Sequence, residues 1–446
     1  MRSYFAGETC FGNTLVASSS AFTISILILL SQDLRAEEVP TSGNSSFETR
    51  SVDANIIEFI NKHQVPGMSV AMTVNGELKY ARGFGYADVE KQEHVLPTSL
   101  FRIASLSKPI TAVAILQLVE QKRLSLEDKV FAILDQFEGQ IQASGKRFDD
   151  RLKAVTIRQL LQHRGGWDRG VSFDPMFQSV RFASELKVPA PASAQNVISS
   201  MLKRHLDFEP GERYTYSNFG YCLLGRVVEK ISGQTYEEYV QESVLKPLGV
   251  KTMRIGKTKL SGRVDSEVRY YHQGRAKSVF QENLGKVVPS AYGGWYLEAM
   301  DSHGGWIASA TDLVRFASAF DDPARCPILS KQSIDEMFSR PPGKAGFDDK
   351  NEPKGVYYSM GWSIRALSNG SSNQWHTGSL PGTTTIMIRR QDGKNFIALL
   401  NTRETPSSNS INSDLDQLLH RAANSVKKWP QGNLFAVDDK EALSKK

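Results

Sequence analysis

Between residues 110 and 119 almost every position is apolar, with only Thr111 and Gln117 interrupting the run ITAVAILQLV. A helix that is hydrophobic all round presents no face to water, so the pattern predicts a helix buried on every side. Pro109 falls in its first turn, where a missing donor costs least. Period-two patterning lies toward the two ends of the chain. SVAMTV and ELKYARGFGYAD flank Asn75-Gly76, and TTTIMIRRQ and NFIALLNT flank Asp392-Gly393. Each pair reads as a β-hairpin. Helical periodicity covers residues 52–63, 124–134, 155–162, 220–232, 236–245, 311–320 and 412–427, with Thr311 placed for an N-cap.

Two segments stand apart from these elements, the first without a clear period. Residues 165–195 are polar and Pro-containing, suited to a lid or pocket wall. Residues 262–300 carry Tyr270, Tyr271, Tyr292, Trp295 and Tyr296, which rim a cleft or pack inside. Strands at both ends with helices between them predict an α+β class. The expected architecture is two-lobed: one antiparallel sheet flanked by terminal helices, plus a mostly helical inserted lobe, with a cleft along the boundary. One domain spans 52–425, with a sheet lobe over about 52–110 and 300–425 and a helical lobe over about 111–299. A polar linker (37–51) and a polar tail (426–446) flank it.

Ahead of the linker, AFTISILILL (21–30) is too short to span a bilayer, Arg2 precedes it, and Ala36 offers a small residue for cleavage. Residues 1–36 are therefore expected to be a signal peptide and the protein exported, periplasmic or secreted. Glu8 and Leu34 fit that pattern poorly and leave an uncleaved membrane anchor as the alternative. Removal would leave Cys222 and Cys326, too few for a disulfide framework, with Cys222 in an apolar helical stretch that suits a buried thiol.

A formal charge of +6 over 446 residues is spread without a long basic run, which argues against nucleic-acid binding. HExxH and clustered metal ligands are absent, as is the GxSxG elbow. No metal or cofactor is expected. Gly83-Phe84-Gly85 is followed by no helix and is not read as a phosphate loop.

The chemistry gathers at the mouth of the buried helix. Ser105 and Lys108 are three apart, so on a helix their side chains share a face. An amine with its pKa lowered by burial can take the proton of a serine hydroxyl. Ser-x-x-Lys occurs five times, starting at Ser105, Ser184, Ser200, Ser243 and Ser425, but only the first opens a long apolar helix. His163 ends a helical segment, where a histidine more often caps or packs than catalyses. Tyr216-Ser217-Asn218 follows a turn-rich stretch and precedes a helix, and His376-Thr377-Gly378 opens a strand. Tyr-x-Asn and [Lys/His]-[Ser/Thr]-Gly each occur once in the chain.

These three pieces, in this order, resemble the serine β-lactamase and penicillin-binding-protein superfamily, in its class C β-lactamase, DD-peptidase and esterase branch. The resemblance runs from about residue 57 to 402 and includes LSLEDKV, VTIRQLLQHRGG, FEPGERYTYSNFGYCLLGRVVEKISG, GGWIASATDLVRFA and YSMGW. It implies Ser105 as the acylated nucleophile and Lys108 as its activating amine. Tyr216 would act with Lys108 as general base and then as proton donor to the leaving group. Asn218 would hold the acyl side-chain amide, and the N–H groups of Ser105 and Ser379 would form the oxyanion hole. Which group takes the first proton stays open.

Strong β-lactamases of this type usually carry Lys where this chain has His376, at the position facing the substrate carboxylate. Histidine is mostly neutral at neutral pH. That difference shifts the expectation to an esterase, or a peptidase or amidase for D-amino-acid or cell-wall peptides, with weak β-lactamase activity. The substrate partner is a small molecule or peptide. A true class C-type β-lactamase, or a non-catalytic binding or assembly protein on the same scaffold, is the alternative.

Overall fold

Asn75 and Gly76 both adopt positive φ, 50° and 79°. That mirror-type turn matches strand twist and joins β2 (Gly67–Val74) to β3 (Glu77–Asp88). The computed structural model describes residues 38–137, 149–406 and 411–436, so the leader expected over 1–36 lies outside the described residues. The second hairpin also forms. β7 (Thr383–Arg389) and β8 (Lys394–Leu400) turn at Gly393, φ 73°.

With β1 (Thr41–Ser42), β4 (Val356–Tyr358), β5 (Ser363–Ala366) and β6 (Ser372–Leu380), these strands build one antiparallel sheet in the order β1-β3-β2-β8-β7-β6-β5-β4. β2 and β8 pair from Met68↔Leu400 to Val74↔Lys394, so the two ends of the chain meet in mid-sheet. Helices α1 (Arg50–His63) and α5 (Asn412–Asn424) cover one face, burying Ile56, Phe59, Leu415 and Leu418 against Val70, Met72, Ile388 and Phe396. Helix α4 (Ala310–Ser318) packs on β2 and β8 from the other side. Every strand of the hairpins is buried on both faces, and this explains why alternation gives way to runs such as GMSVAMT.

The apolar stretch forms α2 (Ser107–Glu120), with each residue from Ser107 to Leu118 buried. It packs against α3 (Asn218–Ser232) in the helical region. Elsewhere the structure differs from the sequence expectation. The N-cap of α4 is Ser309, not Thr311: Ser309 Oγ accepts from Asp312 N (3.0 Å) while the Asp312 carboxylate accepts from Ser309 N (3.4 Å). The stretch 165–195 contains a helix at Ser179–Leu186, too short to show a period, anchored by buried Phe182 and Ala183. The stretch read as a linker adds β1 to the edge of β3 through Thr41↔Phe84. In the polar tail, Asn433 Oδ1 accepts from Leu78 N (3.0 Å) and Phe435 is buried, so this part is docked on the sheet. Cys222 is buried, and both it and Cys326 are free thiols.

Of the aromatic segment, Tyr270 and Tyr292 pack around the Arg102 guanidinium, at 4.2 and 5.4 Å from their ring centres. Trp295 alone of the five lines a cleft of about 720 Å³, whose wall also includes Ser105, Tyr216, Asn218, His376 and Ser379.

Candidate active site

Ser105 stands on a tight turn, Ala104–Leu106, just before α2. Ala104 is held at φ 49°, a left-handed conformation that costs a residue with a Cβ about 1–3 kcal/mol. Three contacts hold the turn there. Ser107 Oγ donates to Ala104 O (2.7 Å), Leu106 N to Ile103 O (3.2 Å), and Thr385 Oγ1 on β7 to Ile103 O (3.0 Å). Thr385 is the cross-strand partner of Gly378, and its hydroxyl reaches the turn through the space a side chain at Gly378 would fill. A Cβ there would lie 2.2 Å from Thr385 Oγ1 and 2.4 Å from Ile103 O. Glycine is what lets β6 lie directly against the Ser105 turn.

Lys108 is fully buried, and its Nζ has three partners: Ser105 Oγ (3.0 Å), Asn218 Oδ1 (2.8 Å) and His303 O (2.8 Å). Burial holds the amine well below the usual lysine range. Asp174 opposes that shift and Arg169 adds to it. A neutral amine has two N–H donors and one lone pair. In that form Asn218 Oδ1 and His303 O, which can only accept, would take both donors and leave the lone pair facing the Ser105 hydroxyl.

Tyr216 completes the arrangement. Its hydroxyl donates to Ser105 Oγ at 2.6 Å, and its ring centre is 4.7 Å from Lys108 Nζ. Burial pushes the phenol up, so it keeps its proton at neutral pH. Asn218 opens α3, and Ser217 caps that helix by accepting from Gly220 N (3.2 Å). The Asn218 carboxamide spans the site: Oδ1 on Lys108, and Nδ2 donating to Asp174 Oδ2 at 2.6 Å. It therefore links the amine to the Asp174 carboxylate.

His163 is buried at φ 55° behind Tyr216, with ring centres 4.4 Å apart. Its Nδ1 accepts from Ser217 N (3.2 Å) and its carbonyl from Thr215 N (2.9 Å). The residue read as a cap or packing group thus clamps the Tyr216 loop on both sides. Replacing it by Phe keeps the ring packing and removes the acceptor for Ser217 N. We expect a kcat about 10–100-fold lower with the melting temperature shifted by only a few degrees, since small misplacements of a catalytic group carry that penalty. Steady-state kinetics beside a thermal melt check it.

His376 lines the cleft, but neither ring nitrogen is open. Nδ1–H donates to Thr377 O (2.7 Å), which leaves Nε2 to accept from the Tyr358 hydroxyl (3.1 Å). Burial drives its pKa down to about 3. The side chain is neutral and committed to the protein, so position 376 offers the cleft no cation. Thr377, Ser379 and Gly378 continue along β6. β5 pairs with β6 only as far as Trp375, and beyond that point this edge of β6 faces the cleft.

Sequence reasoning brought Ser105, Lys108, Tyr216, Asn218, His376, Thr377, Gly378 and Ser379 to attention, and the structure gathers them around one cleft or against its wall. It missed Asp174, Arg169 and His303, and quoted Tyr358 only as the first residue of YSMGW, without a role. The first two lie in the stretch without a period, where no local pattern marks a residue. His303 contributes a main-chain oxygen, which any residue carries.

The family model described as Beta-lactamase matches residues 52–421. The chain is 30% identical over 353 residues to "Penicillin-binding protein 4*" of Bacillus subtilis (strain 168), covering 77% of this chain and 69% of that protein. Among solved structures, the octameric penicillin-binding protein homologue from Pyrococcus abyssi superposes with a TM-score of 0.60 at 25% identity, covering 83% of this chain and 77% of that one. D-amino acid amidase from Ochrobactrum anthropi SV3 gives a TM-score of 0.64 at 23% identity, covering 85% and 99%, and shares the fold.

Proposed function

Because the chain belongs to the beta-lactamase family and is a serine hydrolase, we propose that Ser105 is its acylated nucleophile and that its substrates are esters or amides of D-amino-acid type, cell-wall peptides included, with weak β-lactamase activity. The observation that carries this reading is the fully buried Lys108 Nζ, 3.0 Å from Ser105 Oγ, with burial holding the amine well below the usual lysine range.

In the proposed reaction, the Ser105 proton passes to Lys108 Nζ as Oγ attacks the carbonyl carbon. The carbonyl oxygen becomes an oxyanion held by the N–H groups of Ser105 and Ser379. Such donors are worth on the order of 3–4 kcal/mol each. Lys108 is then an ammonium beside the Tyr216 ring, which makes phenolate less costly than it was before attack. Tyr216 can therefore give its proton to the leaving group as the scissile bond breaks, and Lys108 re-protonates it. A water repeats the sequence on the acyl-enzyme: it loses its proton to the Lys108–Tyr216 pair, and Ser105 is restored as the acid product leaves.

The absence of a cation at His376 supports weak rather than efficient β-lactam turnover. A charged hydrogen bond contributes about 1.5–3 kcal/mol where a neutral one gives about 1. Fluorophosphonate and fluorescent penicillin should label the wild type and leave Ser105→Ala unlabelled. A wild type that never acylates refutes the proposal and favours a non-catalytic scaffold. Rates on p-nitrophenyl esters and D-amino-acid amides should exceed the rate on a cephalosporin, and a dominant cephalosporinase rate would point to a true β-lactamase.

A further inference from the structure

No basic run is long, yet the positive charge is not evenly placed. Residues 251–286 carry nine Lys or Arg and three Asp or Glu, a net +6 that equals the formal charge of the whole chain, so the remainder balances to zero. Three of the nine are paired: Arg263 with Asp88 (3.2 Å), Arg269 with Glu90 (3.4 Å), and Lys259 with Glu282. The other six, Lys251, Arg254, Lys257, Arg275, Lys277 and Lys286, are exposed and have no acidic partner among the described residues.

Three of these six gather on one small hairpin. Its strands, Arg275–Lys277 and Val287–Pro289, pair with Arg275 opposite Pro289, Ala276 opposite Val288 and Lys277 opposite Val287. Opposed residues share a face, and faces alternate along a strand. Ala276 and Val288 form the inward face. Ala276 lines the Ser105 cleft, and a Cβ at Gly294 or Gly293 would lie 2.7 Å from Ala276 Cβ or 2.9 Å from Val288 Cγ2. Arg275, Lys277, Val287 and Pro289 form the outward face, all exposed, and Lys286 stands beside them, its carbonyl accepting from Ser278 N (2.8 Å). Apolar side chains sit among the cations: Val287 is 62% exposed, and Leu284 at the turn 42%. A soluble polyanion has no use for them, whereas a bilayer interface takes both kinds of group. Apolar side chains enter the acyl boundary while cations meet anionic head groups. We infer that this outward face docks on a membrane surface bearing anionic lipids. Since the opposite face of the hairpin walls the cleft, docking brings the Ser105 cleft within one hairpin's thickness of the lipid. The inference goes beyond the acyl-enzyme reading and does not depend on it.

Co-sedimentation of the full chain with vesicles tests it, using phosphatidylcholine alone and phosphatidylcholine mixed with phosphatidylglycerol. The readout is the ratio of the two partition coefficients, in which any apolar attachment common to both cancels. At about 0.1 M salt the wild type should prefer the anionic vesicles at least about tenfold, and the preference should shrink as salt screens the charges. Each cation near such a surface is worth about fivefold, so Arg275→Gln/Lys277→Gln/Lys286→Gln should lose most of the preference. Removing the same charge elsewhere, in Lys344→Gln/Lys350→Gln/Lys427→Gln, should change it little. Leu284→Ser/Val287→Ser keeps every charge and should bind anionic vesicles about three- to tenfold more weakly. An unselective wild type, a preference that survives the hairpin triple variant, or an equal loss in the control triple variant would each overturn the inference. So would undiminished binding by the serine variant, and displacement of that variant by heparin would then mark a site for soluble polyanions. Unchanged melting temperatures show that the variants are folded. Ser105→Ala should partition as the wild type does, which keeps failure of docking distinct from failure of acylation.

Discussion

Lys108→Met should lower kcat/KM by about 10³–10⁴-fold on every ester and amide tested, with the protein still folded. Methionine fills the buried channel but offers Ser105 no lone pair, and it leaves Asn218 Oδ1 and His303 O without the donors they have now. The same variant isolates a pH effect whose sign is fixed. In the folded protein the amine loses its proton well below the usual lysine range, whereas in the unfolded chain it keeps it to about 10.4. Between those two values the unfolded chain carries one more proton, so stability rises with pH, by up to about 1.4 kcal/mol per unit. Urea titrations at several pH values should therefore show the wild type gaining on Lys108→Met as pH increases across that window. The wild-type rate should fall as pH drops through the depressed value, because protonated Lys108 has nothing with which to accept. Parallel stability curves for the two proteins would mean that the amine is charged in the folded state and cannot be the base.

Gly378→Val should abolish most activity for a steric reason. The added Cβ meets Thr385 Oγ1 and Ile103 O at 2.2 and 2.4 Å, and the second of these is backbone with little room to move. Either the Thr385–Ile103 hydrogen bond breaks, or β6 lifts away from the turn that carries Ser105. Overpacking of this kind costs about 1–3 kcal/mol, and a displacement near 1 Å at a reacting centre costs about 100-fold in rate. We expect a clear fall in melting temperature and kcat/KM down at least about 100-fold. Gly378→Ala should show the same trend more weakly. Near-normal kinetics in the valine variant would mean that the strand does not set the nucleophile.

What could be read from the chain, and what could not, follows from the range over which each signal acts. α2 was legible because its burial is written into consecutive residues, and the hairpins because Asn75-Gly76 and Gly393 impose backbone geometry locally. The meeting of Ser105, Lys108 and Tyr216 was legible because their types and order mark one candidate site. The N-cap of α4 was misplaced by two positions, since Thr311 and Ser309 are both good caps and only the reciprocal bond with Asp312 decides between them. Residues 165–195 read as a lid or pocket wall, but Asp174 and Arg169 could not be singled out within it, because their contacts come from the fold that brings this stretch against α3. For His163 the local reading was right in kind. Its partner, however, is the tyrosine loop some fifty positions onward rather than its own helix end.

The pairing of β2 with β8 bears on how the molecule comes into being. Strands from opposite ends of the chain cannot register until nearly all of it has been synthesised, and contacts so distant in sequence make folding slow. A nascent chain that has emerged as far as α3 already holds the serine, the amine and the phenol, yet has no β6 or β7 to brace them. Until the last hairpin arrives, the edge of β2 stands unpaired and open to association with other chains, so the interval before closure is when this protein is most exposed to aggregation.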